Sequence, residues 1–128
     1  MPDKCTFEYA VIRVVPRVER EEFLNVGVIV FCKRPAFLDM KYVLDEQRLL
    51  AIDPAIDIEE VRLHLQAYEQ ISKGTNGTSP IAELDHASRF RWLTGKRSTI
   101  VQSSAVHPGL CADLTSTTDQ LLQKLVII

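Results

Sequence analysis

The sequence predicts an α+β fold, in which an antiparallel sheet of three to four strands begins as an N-terminal meander and helices pack on one face. Two observations lead to this fold class. Segments rich in β-branched and aromatic residues fill the first third of the chain, whereas amphipathic segments with helical spacing dominate the rest. Because 128 residues is close to the usual size of one domain, we expect a single domain over residues 1–128.

Three segments account for the predicted meander. Residues 6–15 are rich in Val, Ile, Tyr and Phe and end at Pro16, which has no backbone N–H to donate within a sheet. Residues 26–31 form a continuously apolar run, which is typical of a central strand covered on both faces. Residues 38–44 alternate between apolar and polar side chains, as a strand with one exposed face does. The charged residues 17–24 predict a connection or a single helical turn.

Helices are predicted from capping residues and from the spacing of apolar side chains. Residues 46–52 form a short candidate helix. Asp57 and Glu60 have the spacing of a capping box, and apolar residues then recur at helical intervals until Gly74, which is a typical helix stop. This second helix is the most strongly indicated element of the chain.

The C-terminal third contains less regular patterns. A serine–proline pair predicts the start of a helix over residues 79–93. Residues 99–102 predict a short last strand, and the His-Pro-Gly sequence at residues 107–109 predicts a turn. Residues 115–125 predict a closing helix whose leucines face the sheet.

Net charge and cysteine content indicate which partners and which cellular compartment to expect. The formal net charge is -2 and the isoelectric point is near 5.9, so nothing attracts the whole chain to nucleic acid or to an anionic membrane. Cys5, Cys32 and Cys111 are far apart and in no C-x-x-C motif, which predicts unreactive thiols in a reducing compartment. Residues 1–4 are polar and unlike a secretion signal, so we expect a cytoplasmic protein.

The motifs of common cofactor and metal sites are absent from the sequence. His64, His86 and His107 lie on different predicted elements, and none is spaced from another His or Cys as zinc ligands are. The five glycines are scattered rather than clustered before a helix, and no serine lies in a G-x-S-x-G motif. We therefore expect no metal and no cofactor.

A first group of candidate functional residues lies where the central strand begins. Glu22, Asn25 and Gly27 place a carboxylate, an amide and a glycine within six residues. Turn chemistry explains Asn25 without a ligand, and we favour that interpretation. Gly27 interrupts a β-branched run, which predicts a bulge, a positive φ angle or a close neighbour at this position.

A second group combines cations with aromatic rings shortly after residue 88. Its members are Arg89, Phe90, Arg91, Trp92, Lys96 and Arg97. Such a mixture can contact phosphates or stack on a base. The alternative, which the slight overall acidity favours, is a solvated helix face whose two aromatic rings belong to the core. On a helix, Arg89 and Trp92 would be neighbours.

Parts of the chain resemble a known family. The pattern Tyr9-x-x-x-Arg13-x-x-Pro16, followed by Glu22-x-x-Asn25-Val26-Gly27-Val28, is similar to the opening signature of short bacterial proteins catalogued as domain of unknown function 3037. The pair Arg48-Leu49 and residues 98–102, which lead into the Leu-rich C-terminal helix, resemble later blocks of that family. The family has no established activity. The resemblance implies a gene beside one for a HipA-like kinase, and hence a toxin–antitoxin-like or regulatory pair.

Two hypotheses of function follow. The favoured one is a non-catalytic binding or regulatory module that acts on another protein, with a HipA-like kinase as the partner that the resemblance implies. The alternative is a hydrolase or nucleic-acid-processing enzyme that uses Glu22, Asn25 and the Arg89/Arg91 group. Convergence of Glu22 and Asn25 with these arginines or with Gln102 in one pocket would favour the enzyme.

Overall fold

The computed structural model describes residues 4–75 and 79–127, so the polar residues 1–3 lie outside the described part. The elements, in chain order, are β1 (Cys5–Val14), β2 (Leu24–Cys32), β3 (Phe37–Tyr42), α1 (Glu46–Ile52), α2 (Ile58–Lys73), α3 (His86–Leu93), β4 (Val101–Ser103), β5 (His107–Cys111) and α4 (Leu114–Leu125). Single 3-10 turns at Val18–Arg20 and Ile81–Glu83 precede β2 and α3. No helix in these ranges is long and apolar enough to cross a membrane.

The sheet is antiparallel, and the α+β class and the N-terminal meander are confirmed. Its strand order is β3-β2-β1-β4, with β5 also paired to β1. Strands β4 and β5 share the edge of β1 that faces away from β2, since they pair with residues 12–14 and 5–9 of β1. The described sheet therefore has five strands rather than three or four.

The turn predicted at residues 107–109 is wrong, because these residues belong to strand β5. Pro108 is tolerated because β5 is an edge strand, where a missing N–H need not break the sheet. Gly109 lies opposite Phe7 on β1, and the absence of a side chain leaves room for the Phe7 ring to pack over its backbone. Pairing with β1 thus outweighs the local preference of these residues for a turn.

Helices cover both faces of the sheet, so the prediction that they pack on one face is wrong for α4. Ile29 and Phe31 of β2 pack in the main core with α2 and α3. Val28 and Val30 point to the opposite face, where they pack in clusters with residues of α4 and its flanks. The continuously apolar β2 needs this second layer, because a strand with two apolar faces must be covered twice.

The helix boundaries follow local capping chemistry. Asp57 accepts a hydrogen bond from the Glu60 N–H at 3.2 Å, and Gly74 ends α2 with a φ of 67°, as predicted. The helix predicted over residues 79–93 is instead broken before α3. Asp85 caps α3 by accepting from the Ser88 N–H at 2.8 Å, a bond that lowers the pKa of Asp85.

Candidate functional site

Three polar side chains form a row across the sheet. Arg13 on β1 pairs directly with Asn25 on β2 and with Gln102 on β4. Residues directly opposite one another in neighbouring strands point to the same face, so the three side chains lie side by side. This is the face that α4 covers, because the Asn25 Nδ2 donates to the Leu125 carbonyl oxygen at 3.3 Å.

A β-bulge produces this row. Ile12 pairs with Gly27 and Arg13 pairs with Asn25, so Val26 is the additional residue on β2. Without the bulge, Arg13 would face Val26 rather than Asn25. Gly27 is required here because a Cβ atom would lie 2.8 Å from the Lys41 carbonyl oxygen. The predicted bulge and close neighbour at Gly27 are confirmed, and its role is structural.

Beside the row is an open cleft of about 320 Å³, which we call the Arg13 cleft. It is lined by Arg13, Val15, Val18, Glu21, Phe23 and Gln102. The Arg13 guanidinium lies 4.0 Å from the centroid of the Phe23 ring, which is itself 45% exposed. A cation stacked on an exposed aromatic ring is a common feature of binding surfaces.

The Arg13 guanidinium has no polar partner within the described ranges. Its Nε is buried without a hydrogen-bond acceptor, and no described carboxylate lies within ion-pair distance of it. Burial lowers the pKa of Arg13, but a guanidinium keeps its charge at physiological pH. A buried donor without an acceptor is costly, so an anionic group in the cleft would be favourable beside Arg13.

Two further features lie near Arg13: a buried oxygen without a hydrogen-bond donor and a residue with a strained backbone. The Asn25 Oδ1 is buried without a donor. Glu21 has a φ of 56°, in the left-handed region that a non-glycine residue seldom adopts, where it ends the turn at Val18–Arg20. Strain of this kind is often found beside binding sites. These features support the Arg13 cleft as the candidate site.

A second cleft adjoins the first, because Gln102 lines both. It has a volume of about 470 Å³ and is lined by Lys96, Arg97, Ser98, Gln102 and Ser103. Arg97 lies 4.0 Å from the Trp92 ring centroid and donates to the Tyr68 hydroxyl at 3.2 Å. Burial raises the pKa of Tyr68, and the nearby Arg97 opposes this shift.

The basic-aromatic group divides between core and surface. Phe90 is fully buried, as the core interpretation predicts, but Trp92 is 36% exposed. The cation on the Trp92 ring is Arg97 rather than Arg89, which helical spacing predicts as a neighbour of Trp92. Helical spacing did not predict the contact between Arg97 and Trp92, because Arg97 follows α3 and the chain there folds back onto the last turn of that helix.

The arginines predicted for an enzyme site are engaged elsewhere. Arg89 is buried and donates to the carbonyl oxygens of Ile71 and Ser72 at 2.9 and 2.7 Å, where α2 ends. It also donates to the Leu84 carbonyl oxygen at 3.0 Å. Arg91 is exposed and pairs with Glu8 at 3.0 Å. Arg89 is thus a structural link between α2 and α3.

Glu22 also lies apart from the polar row. It accepts from the Arg20 Nε at 2.5 Å, and this bond and charge lower the pKa of Glu22. It lines a separate cleft with Arg17 and Asp53, while Asn25 lines another. The predicted group of Glu22, Asn25 and the two arginines therefore shares no described cleft, and Asn25 and Gln102 lie in one row only through Arg13, which separates them.

Arg13 was noted in the sequence only as a position of the family signature, and neither Arg13 nor Phe23 was among the candidate functional residues. A cation inside the otherwise apolar run at residues 9–15 is the signal that could have identified Arg13, since charged residues are seldom buried. The lining of the Arg13 cleft contains one carboxylate, Glu21, and no Ser, Cys or His. Among residues 4–75 and 79–127, no three His, Cys, Asp or Glu side chains are grouped to hold a metal ion. This chemistry suits the binding of an anion.

Comparison with known proteins identifies the family of the chain. No curated protein and no solved structure is detectably similar to the chain. The model of a family described as "Protein of unknown function (DUF3037)" matches residues 9–126, a range that includes Arg13, Asn25 and Gln102. Because this match covers well over half of the sequence, the chain belongs to the DUF3037 family.

Proposed function

We propose that the protein is a non-catalytic module that binds another protein through the Arg13 cleft. The observation that carries this proposal is the unpartnered Arg13 guanidinium, stacked on Phe23 and half-buried beside Asn25 and Gln102. A partner carboxylate would supply the missing acceptor through charge-assisted hydrogen bonds, which are the strong ones.

The surroundings of Arg13 favour an acidic partner segment that also carries an apolar side chain. Lys96 and Arg97 in the adjoining cleft add two positive charges, against the single carboxylate of Glu21. Phe23 and Val18 are 45% and 48% exposed, and they offer an apolar contact next to the guanidinium. We infer that the bound segment places an Asp or Glu on Arg13 and an apolar side chain over Phe23.

A HipA-like kinase is the first specific partner to test, and this choice rests on the family resemblance alone. We place the interaction in the bacterial cytoplasm, in keeping with three cysteines that are far apart in the sequence and in no C-x-x-C motif.

The enzymatic alternative has less support. It requires Glu22, Asn25 and the arginines Arg89 and Arg91 around one substrate, and these four residues have separate partners. Catalytic groups must lie within hydrogen-bond reach of a common reacting atom.

Affinity capture with matched variants tests the proposal. Tagged wild-type protein, Arg13→Met and Arg34→Met are each used to capture proteins from a lysate of the native host. Arg13→Met keeps the apolar stem and removes the guanidinium. Arg34→Met is the control, because Arg34 is exposed in the turn after β2, at the opposite end of that strand from Asn25.

We expect at least one protein to be captured by wild type and Arg34→Met and to be reduced roughly tenfold or more with Arg13→Met, since hydrogen bonds to a charged group contribute about 1.5–3 kcal/mol. Capture should weaken as salt rises. Arg13→Met should be at least as stable to urea as wild type, because it removes an unpartnered charge. Identical capture by all three proteins would refute the proposal.

A further inference from the structure

Two cysteines from opposite ends of the sequence lie side by side. Cys5 at the start of β1 pairs directly with Cys111 at the end of β5. Both pack against the cluster that contains Phe7 and Leu114, so their side chains share a face. Directly opposed residues in antiparallel strands have Cα atoms about 4.5–5.5 Å apart. This separation falls within the range of about 4.4–6.8 Å that a disulfide spans.

Solvent reaches this pair but not the third cysteine. Cys111 is half-buried and lines an open cleft of about 220 Å³ between β5 and α4. Cys5 is also half-buried. Cys32 is buried, and its Sγ lies 3.3 Å from the carbonyl oxygens of Thr6 and Arg34. A small oxidant in solution therefore has access to Cys111 and not to Cys32.

We propose that Cys5 and Cys111 form a redox modification site, which a low-molecular-weight disulfide such as oxidised glutathione converts into a disulfide that ties β5 to β1. The Cys111 thiolate attacks one sulfur of oxidised glutathione and releases a first glutathione thiolate. The Cys5 thiolate then attacks the Cys111 sulfur of the mixed disulfide and releases the second.

The electron balance of this exchange is complete. The two protein thiols lose two electrons and two protons, and one oxidised glutathione becomes two molecules of glutathione. In a reducing compartment the same exchange runs backward, so the disulfide would be transient. The site is independent of the Arg13 cleft, because β5 pairs with residues 5–9 of β1 and Arg13 lies beyond them.

Peptide mapping after oxidation tests the site, since each cysteine lies in a different tryptic peptide. These peptides span residues 5–13, 21–33 and 98–124. Folded wild-type protein, Cys32→Ala and Cys5→Ser are treated with oxidised glutathione, the remaining thiols are blocked with N-ethylmaleimide, and the digests are analysed by mass spectrometry. We expect wild type and Cys32→Ala to yield peptide 5–13 linked to 98–124, with loss of two thiols. Cys5→Ser should stop at a glutathione adduct on Cys111.

Three results would overturn the proposal. The first is a product in which Cys32 is the main partner of either cysteine. The second is separate glutathione adducts on Cys5 and Cys111 without a link between them. The third is a link found only between two molecules, which gel filtration of the oxidised protein distinguishes from the link within one chain.

Discussion

The buried Arg89 gives the sharpest prediction about stability. Its guanidinium holds the end of α2 through the carbonyl oxygens of Ile71 and Ser72, and holds the start of α3 through that of Leu84. Arg89→Met keeps a long apolar side chain of similar reach and removes all three hydrogen bonds. The variant therefore tests the bonds rather than the packing.

The expected magnitude follows from counting partners. Hydrogen bonds from a charged donor contribute about 1.5–3 kcal/mol each. The substitution also removes the desolvation cost of the buried guanidinium, and this gain offsets part of the lost stability. In the variant, the Ile71 carbonyl oxygen still accepts a hydrogen bond from the Gly74 N–H at 3.1 Å. The loss of stability therefore comes mainly from the carbonyl oxygens of Ser72 and Leu84. We expect the free energy of unfolding to fall by about 2–4 kcal/mol.

Urea unfolding of matched variants measures this loss. Arg91→Met is the control, because its side chain is 61% exposed and an exposed ion pair contributes roughly 0–1 kcal/mol. Arg89→Lys should lie between wild type and Arg89→Met, since one ammonium group cannot reach all three oxygens. An Arg89→Met protein as stable as Arg91→Met would refute the structural role and return Arg89 to the list of candidate functional residues.

Three further predictions concern Leu65 in the core, Gly27 at the β-bulge and the exposed ring of Trp92. Leu65→Ala should lower the free energy of unfolding by about 2–5 kcal/mol, because Leu65 is fully buried; an unchanged urea midpoint would contradict this. Gly27→Ala should cost about 1–3 kcal/mol because its Cβ would press on the neighbouring strand, whereas Gly95→Ala, whose Cβ would make only ordinary contacts, should be close to neutral. Trp92 fluorescence should be quenched by acrylamide, a neutral quencher, and more so in Arg97→Ala, where one face of the ring is uncovered. A blue-shifted emission that acrylamide does not quench would contradict the exposed position.

Local signals were sufficient for much of the fold. The strands of the meander and the caps of α2 depend on side-chain alternation and on Asp57 and Gly74, which act within a few residues. The break before α3 also had a local cause in Asp85, whose capping role was overlooked. These elements could be predicted because their stabilising contacts are close in the sequence.

The rest depended on contacts between distant segments. Strand β5 forms because β1 offers it an edge, against the turn preference of Pro108 and Gly109. The row of Arg13, Asn25 and Gln102 requires the bulge in β2 and the arrival of β4 from the C-terminal third of the chain. Such register relations are fixed by tertiary pairing, so the sequence-based site included Asn25 and Gln102 but not the residue between them.

NMR titration with short peptides shows whether Arg13 binds a carboxylate next to an apolar side chain. Spectra of ¹⁵N-labelled protein record the Arg13 Nε–H and the Gln102 side-chain amide during titration with acetyl-Leu-Glu-Phe-amide. The matched neutral peptide is acetyl-Leu-Gln-Phe-amide. We expect the acidic peptide to shift both signals with roughly millimolar affinity and the neutral peptide to shift them far less. In Arg13→Met, the Gln102 signal should not shift. Equal shifts with both peptides, or no shift of the Arg13 signal, would contradict the binding of a carboxylate at Arg13.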